Sequence, residues 1–290
     1  MQLVYQFNIK ENDTIAEMCR ASNDIYNQAN FLVKKEFNET RKFLGFYHLD
    51  KMMKVTPNLD GEINYYRLKA QTTQQILKLL EKNWKSFFRS IKDWKKNPHK
   101  YKGMPKPPNF RKSGDKYLII YTNQNAKIKD GFLKLSKQLS IQIPEYVGKD
   151  FSKFNQVRIL PKNKGYRIEI IYTQEVQNND LDYNKYASID MGLDNLVALV
   201  SNTQPILFSG KILKSFNQWY NKRKAKLSSV KDKMKYKGYT KQLYKLEEDR
   251  ENFTKDYLHK VSKQIITHCI KNDIGNLVIG KNSNWKDSIN

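Results

Sequence analysis

The chain has 290 residues, 53 Lys+Arg against 29 Asp+Glu, and a formal net charge of +24, with a pI near 9.7. At 39% hydrophobic and 12% aromatic it is too apolar for a disordered polycation, and no apolar run approaches the ~18 residues of a membrane span. Its two cysteines, Cys19 and Cys269, exclude a disulfide scaffold and a cysteine-built zinc site within this chain, so a reduced, cytoplasmic protein that meets a polyanion is the consistent reading.

The first residues, MQLVYQFNIKEND, lack the basic and apolar regions of a signal peptide. Leu3, Tyr5, Phe7 and Ile9 alternate and predict a strand over 2–9. Ile15, Met18, Ile25, Ala29, Leu32 and Phe37 predict a helix over 13–40. Gly45, Pro57 and Gly61 interrupt the helices over 45–61, and a long helix is predicted over 64–96. The segment YKGMPKPPNFRKSGD (101–115) holds three prolines and two glycines, which favours an extended basic connector. From 117 the period changes to 2. Strands are predicted at 117–122, 132–136, 139–143, 156–160 and 166–173, punctuated by Gly131, Pro144, Pro161 and Gly165. Such strands suggest a β-barrel that the first strand closes, with the helices as an insertion.

After a polar spacer (177–185), strands are predicted at 186–192, 196–201, 205–209 and 276–280, with helical sequence between the last two. That βββ-α-β order predicts an antiparallel meander and a fourth strand returning by a helical crossover, the start of an RNase H-like fold.

The positive charge is clustered. Residues 82–116 hold 12 Lys/Arg and two acids; residues 211–245 hold 12 and one. Each window also carries six aromatic residues. Lys and Arg neutralise phosphates, and exposed rings stack on unpaired bases. The clustering favours nucleic-acid contact over a merely solvated Lys-rich surface. The candidate contacts are Lys95, Lys96, Lys100, Lys102, Lys106, Arg111 and Lys112, then Lys222, Arg223, Lys224 and Lys226, then Lys286 beside Trp285. Ile76, Leu80, Trp84, Phe87, Ile91 and Trp94 share one helical face, so most rings of the first window are expected in a core.

Asp190, in SIDMGLDNLVALV, ends an apolar strand. A carboxylate there can leave the sheet and hold a hard divalent cation; it can equally be a hairpin turn residue. The sequence ASIDMGLDNLVALVSN resembles the first RuvC motif of the TnpB family, the transposon OrfB proteins, RNA-guided nucleases related to type V CRISPR effectors. QQILKLLEKNWKSFFRSIKDWKKNPHKYKGMPKPPNFRK, KSFNQWYNKRKAKLSS and GNLVIGKNSNWK resemble further segments of that family, in its order. The resemblance implies an α+β multidomain chain: a wedge-like β-barrel (1–10 and 115–180), an inserted helical recognition lobe with the basic connector (11–114), and a partial RuvC, RNase H-like domain (181–290). It also implies Mg²⁺ held by Asp190 as catalytic residue, a guide RNA from the transposon end, and a double-stranded DNA target.

The departures from the family's pattern are specific. Gly280 stands where the family has a catalytic Glu, and the zinc-ribbon cysteine pairs and the third RuvC motif are missing, as expected of a C-terminally truncated member with little or no cleavage. Asp273, Asp287, Glu247, Glu248, Asp249 and Glu251 are weaker candidates for a second acid, and Asp194 reads as a turn former. His48, His99, His259 and His268 show no ligand spacing. The alternatives are a nuclease-deficient RNA-guided DNA binder acting as a repressor, and a decayed transposase remnant.

Overall fold

In the computed structural model, which describes residues 1–135, 139–144, 154–162, 164–175 and 180–280, the opening period-2 pattern forms strand β1 (Gln2–Ile9). The chain divides into two units, Met1–Val176 and Gln177–Asn290.

In the first unit, helix α1 (Asp13–Thr40) starts where the Asn12 side chain accepts the Ile15 amide at 3.0 Å, an N-cap. It ends at Arg41, whose φ of 60° stops the helix. Helix α2 (Phe46–Met53) lies between Gly45 and Pro57, where the sequence reading had only an interruption. Its Leu49 and Met53, four residues apart, are buried. Helix α3 (Ala70–Lys96) begins later than predicted, because residues Asn64–Arg67 form a separate 3₁₀ turn.

These helices enclose one core. Ile25, Ala29 and Val33 of α1 pack with Leu49 and Met53 of α2 and with Ile76, Leu77, Leu80 and Trp84 of α3. Trp84 is 1% exposed, and Phe37, Phe43, Phe87 and Phe88 lie around it at centroid distances of 5.7–6.1 Å or through one another. The first half of the predicted stripe, through Trp84 and Phe87, is thus core, whereas Ile91 and Trp94 are half-buried and lie outside that cluster.

The β-rich part of this unit forms two sheets. One contains β1, β2 (Ile119–Thr122), β6 (Phe154–Lys162) and β7 (Gly165–Thr173) in the order β1-β7-β6-β2, all antiparallel. The other contains β3 (Lys127–Lys129), β4 (Phe132–Lys134) and β5 (Ser140–Gln142). The first strand does join the later ones, and α1–α3 are inserted between β1 and β2. The expected closed barrel is not found among the described residues: β1 and β2 are the outer members of an open four-stranded sheet. The two sheets share a core, with Phe7, Ile119, Leu133, Ile141, Val157, Ile168 and Ile170 in one cluster.

Gly165 opens β7 at φ 122°, and a Cβ there would lie 2.1 Å from the Ile9 carbonyl oxygen. Only glycine allows the hairpin to pass the end of β1 so closely. Gly165→Ala is expected to destabilise the protein by at least about 2 kcal/mol, read as a lower midpoint in thermal denaturation followed by circular dichroism.

The second unit holds β8 (Asp182–Met191), β9 (Asn195–Val200), β10 (Ile206–Ser209), α4 (Lys211–Lys233), α5 (Lys241–Lys271) and β11 (Ile274–Ile279). The sheet order is β10-β9-β8-β11. The first three strands form an antiparallel meander and β11 pairs parallel to β8, the arrangement that the βββ-α-β order predicts. β8 begins inside the polar spacer, since Asp182 pairs with Ile274. Ile189, Val197 and Leu199 pack against Val261 and Ile265 of α5.

Candidate functional site

Alternation along β8 decides where Asp190 points. Ala187 and Ile189 are buried, so Tyr186, Ser188 and Asp190 take the opposite face. The register sets Ser188 against Val200 and Val278, and Asp190 against Ala198. Tyr186, Asp190, Val200 and Val278 are all exposed. Asp190 therefore stands on an open, partly apolar sheet face, free of the core that holds its strand.

The parallel pairing of β11 brings Gly280 to it. The Gly280 amide donates to the Ile189 carbonyl at 2.9 Å. A Cβ at position 280 would lie 3.6 Å from Asp190 Oδ1, an ordinary contact distance. Position 280 is thus adjacent to Asp190, and it offers no carboxylate.

The described residues contain no group of three His, Cys, Asp or Glu side chains that could hold a metal ion. A two-cation phosphodiester centre needs several converging carboxylates. The described donor set does not fit such a centre. Asp287 lies outside the described residues.

Asp273 is corrected as a candidate second acid. It precedes β11, at the end of the sheet opposite to Gly280, roughly 20 Å along the strand. Its carboxylate accepts the Asp182 amide at 3.1 Å and Lys185 Nζ at 3.0 Å. The Lys185 hydrogen bond, helped by the Asp182 amide, holds its pKa below the ordinary 3.8. A depressed carboxylate pKa contributes stability above the unfolded value, and that contribution is lost as pH falls through the folded one. Asp273→Asn is therefore expected to flatten the acid limb of stability below about pH 4, measured by urea denaturation at stepped pH.

Two of the candidate acids of α5 are similarly engaged, while Glu248 and Asp249 are exposed. Glu247 accepts from the Tyr239 hydroxyl and from Lys224 Nζ at 3.4 Å, and Glu251 pairs with Lys255 at 2.5 Å. Asp194 lies in the turn after β8 and pairs with Lys214 at 2.6 Å, which keeps its carboxyl below the usual range. Its carbonyl accepts the Gly210 amide at 2.7 Å. A Cβ at Gly210 would sit 2.0 Å from the Leu193 oxygen, so glycine lets the start of α4 meet this turn. His268 contacts Ser201 Oγ at 3.1 Å and the Asn272 amide through its other ring nitrogen at 3.3 Å.

The basic candidates divide into free and engaged groups. Lys95 and Lys96 end α3, where they complement the helix C-terminus. Both are exposed, as are Lys100, Lys102, Lys106 and Lys112. Arg111 is half-buried: its guanidinium lies 4.1 Å from the Tyr117 ring centroid, and Nε donates to Asn23 at 3.1 Å. On α4, Lys222, Arg223 and Lys226 are exposed, with Trp219 (51% exposed) one turn before. Phe216 instead stacks on Phe253 at 4.0 Å. Lys224 turns toward α5, over the Tyr220 ring and against Glu247. Lys286 lies outside the described residues.

The connector is held by a feature that sequence reading missed. Asn23, Asn27 and Asn30 of α1 donate side-chain amides to the carbonyls of Lys112, Arg111 and Pro108, at 2.9, 3.0 and 3.1 Å. Asn27 Oδ1 also accepts the Arg111 amide at 2.8 Å. The spacing of four and three residues puts all three asparagines on one face of α1. A proline-rich segment cannot bond to itself in regular structure, and this ladder supplies partners for its carbonyls. Four positive side chains are thereby carried on a fixed strap.

No curated protein sequence matches the chain. Among solved structures, it is similar to a chain in the cryo-EM structure of the Cas12f1-sgRNA-target DNA complex. That match has a TM-score of 0.56 at 12% identity and covers 95% of this chain and 66% of that one. A chain in the cryo-EM structure of the CRISPR-Cas12f ternary complex matches at 13% identity and a TM-score of 0.37, covering 96% of this chain and 65% of that one. The fold correspondence rests on the first, and this chain spans less than two thirds of either relative's length. No helix among the described residues is long and apolar enough to cross a membrane. Residues 169–286 match the OrfB_IS605 family, described as "Probable transposase". That segment carries Asp190, Gly280 and the whole β8–β11 sheet, and over it the chain is similar to the OrfB_IS605 family.

Proposed function

We propose that this is a transposon-associated, RNA-guided DNA-binding protein of the TnpB type, with weak DNA cleavage or none. The observation that carries the reading is the family match over the very residues that build the β8–β11 sheet and present Asp190 on its open face. The first solved relative was determined with sgRNA and target DNA, which supports the same partners here: a guide RNA from the transposon end and a double-stranded target. In this reading residues 1–10 and 115–180 act as the wedge, 11–114 as the recognition lobe and 181–290 as the RuvC part. The exposed lysines of the connector and of α4 neutralise phosphates, guide pairing reads sequence, and the protein works in the cytoplasm at the nucleoid.

Gly280 favours a second reading, a binder that occupies its target as a repressor without cutting. One experiment separates the two. The chain is purified with RNA expressed from its own locus and incubated with matched DNA and Mg²⁺. Cleavage abolished by Asp190→Ala supports the nuclease; stable matched binding without cleavage supports the repressor. A protein that retains no RNA refutes both.

A further inference from the structure

A cleft of about 380 Å³ opens between α3 and the proline-rich connector of the first unit. We propose that it is a site for one unpaired nucleotide, a reading that rests on the nucleic-acid function above and assigns it a specific subsite. Its apolar surfaces are Phe87, Pro105 and Pro108, and it is lined also by Tyr26, which is only 5% exposed. Asn83, Ser86 and Ser90 supply amide and hydroxyl groups, and Lys106 is its single charge. Flat apolar walls take a base face, amide and hydroxyl groups take base-edge hydrogen bonds, and a cation without a lining carboxylate takes the phosphate. The volume lies at the low end of the ~300–1,000 Å³ typical of small-ligand sites, enough for a single nucleoside.

The walls are built before any ligand arrives. The Tyr26 ring meets Tyr117 edge-on at 5.0 Å, and Phe87 meets Trp84 at 5.8 Å and 88°. The Tyr26 hydroxyl is 3.4 Å from the Asn83 amide. The Asn30 amide fixes the Pro108 carbonyl at 3.1 Å, which sets the connector wall at its distance from α3. Binding therefore costs little ordering of the protein, the condition under which a small contact contributes measurable affinity.

The test fills the cleft. Ser86 is exposed on α3, so Ser86→Trp adds bulk at the mouth without entering the core. Affinities are measured by fluorescence anisotropy with the full chain, using labelled dT and rU 12-mers in parallel. Ser86→Trp is expected to weaken binding of at least one oligomer about tenfold, with its slope in log salt unchanged. Lys106→Ala is expected to lower that slope by about one. Asn38→Trp, the same bulk on an exposed position of α1, is expected to change nothing. Melting curves by circular dichroism verify that each variant is folded. Weakening of dT alone assigns the site to a DNA strand, of rU alone to RNA, and of both to either. Equal affinity of folded Ser86→Trp and the parent for both oligomers overturns the site while leaving the nucleic-acid function standing. A parent chain that binds neither oligomer nor its own RNA overturns both.

Discussion

Gly280→Glu is expected to give the protein a Mg²⁺ response that the parent lacks. The backbone at 280 is already fixed by the Gly280 amide on the Ile189 carbonyl, and a side chain there would leave 3.6 Å from Asp190 Oδ1. Two carboxylates carried on adjacent positions repel, so without cation the variant is expected to be less stable than the parent. A divalent cation between them reverses the sign. At a Mg²⁺ concentration 100 times its Kd, bound cation adds about 2.7 kcal/mol to the folded state. The parent's melting temperature should hardly move between EDTA and millimolar Mg²⁺, whereas the variant's should rise by several degrees. With matched guide and target, the variant is also expected to cleave faster than the parent, and Asp190→Ala in the same background is expected to remove both gains. A variant whose stability ignores Mg²⁺ would show that positions 190 and 280 do not form a cation pair.

Asn30→Ala is expected to be the most damaging small substitution in the first unit. Asn30 is fully buried, accepts from Trp84 Nε1 at 3.0 Å and donates to the Pro108 carbonyl at 3.1 Å. Truncation leaves a buried indole N–H and a peptide carbonyl without partners, at about 1–3 kcal/mol each. A loss of about 2–6 kcal/mol follows, and a second effect is local. With its first tie gone, the connector should open to trypsin at Lys106, Arg111 and Lys112 faster than global unfolding allows. Asn27→Ala, at a half-buried position, is expected to cost less. Equal proteolysis of Asn30→Ala and the parent would show that the strap is held by other contacts.

These two sites also mark what the sequence makes legible. The stripe from Ile15 to Phe37 and the ring stripe through Trp84 read directly as helices, because one period governs both pattern and burial. The meander β8–β10 and its parallel partner β11 follow from apolar runs and turns of suitable length. The asparagine ladder does not, since Asn23, Asn27 and Asn30 look like a polar helix face until the carbonyls of Pro108, Arg111 and Lys112 are laid along them. The same geometry removes Arg111 from the free cations and folds its charge onto Tyr117. The first four residues of β8, Asp182–Lys185, are polar and do not read as a strand; their conformation comes from pairing with β11 rather than from propensity. Asp190 and Gly280 could each be named from the sequence. Only the register of a parallel pair shows that they touch.

Guide-dependent affinity tests the central claim most directly. The protein carrying RNA from its own locus is titrated against DNA matched to that RNA and against scrambled DNA of equal length, at physiological salt. Retained RNA and matched binding at least about 10³-fold tighter than scrambled are expected, since phosphate contacts alone supply the non-specific term. Equal affinity for the two DNAs, or protein that leaves the column without RNA, would contradict it.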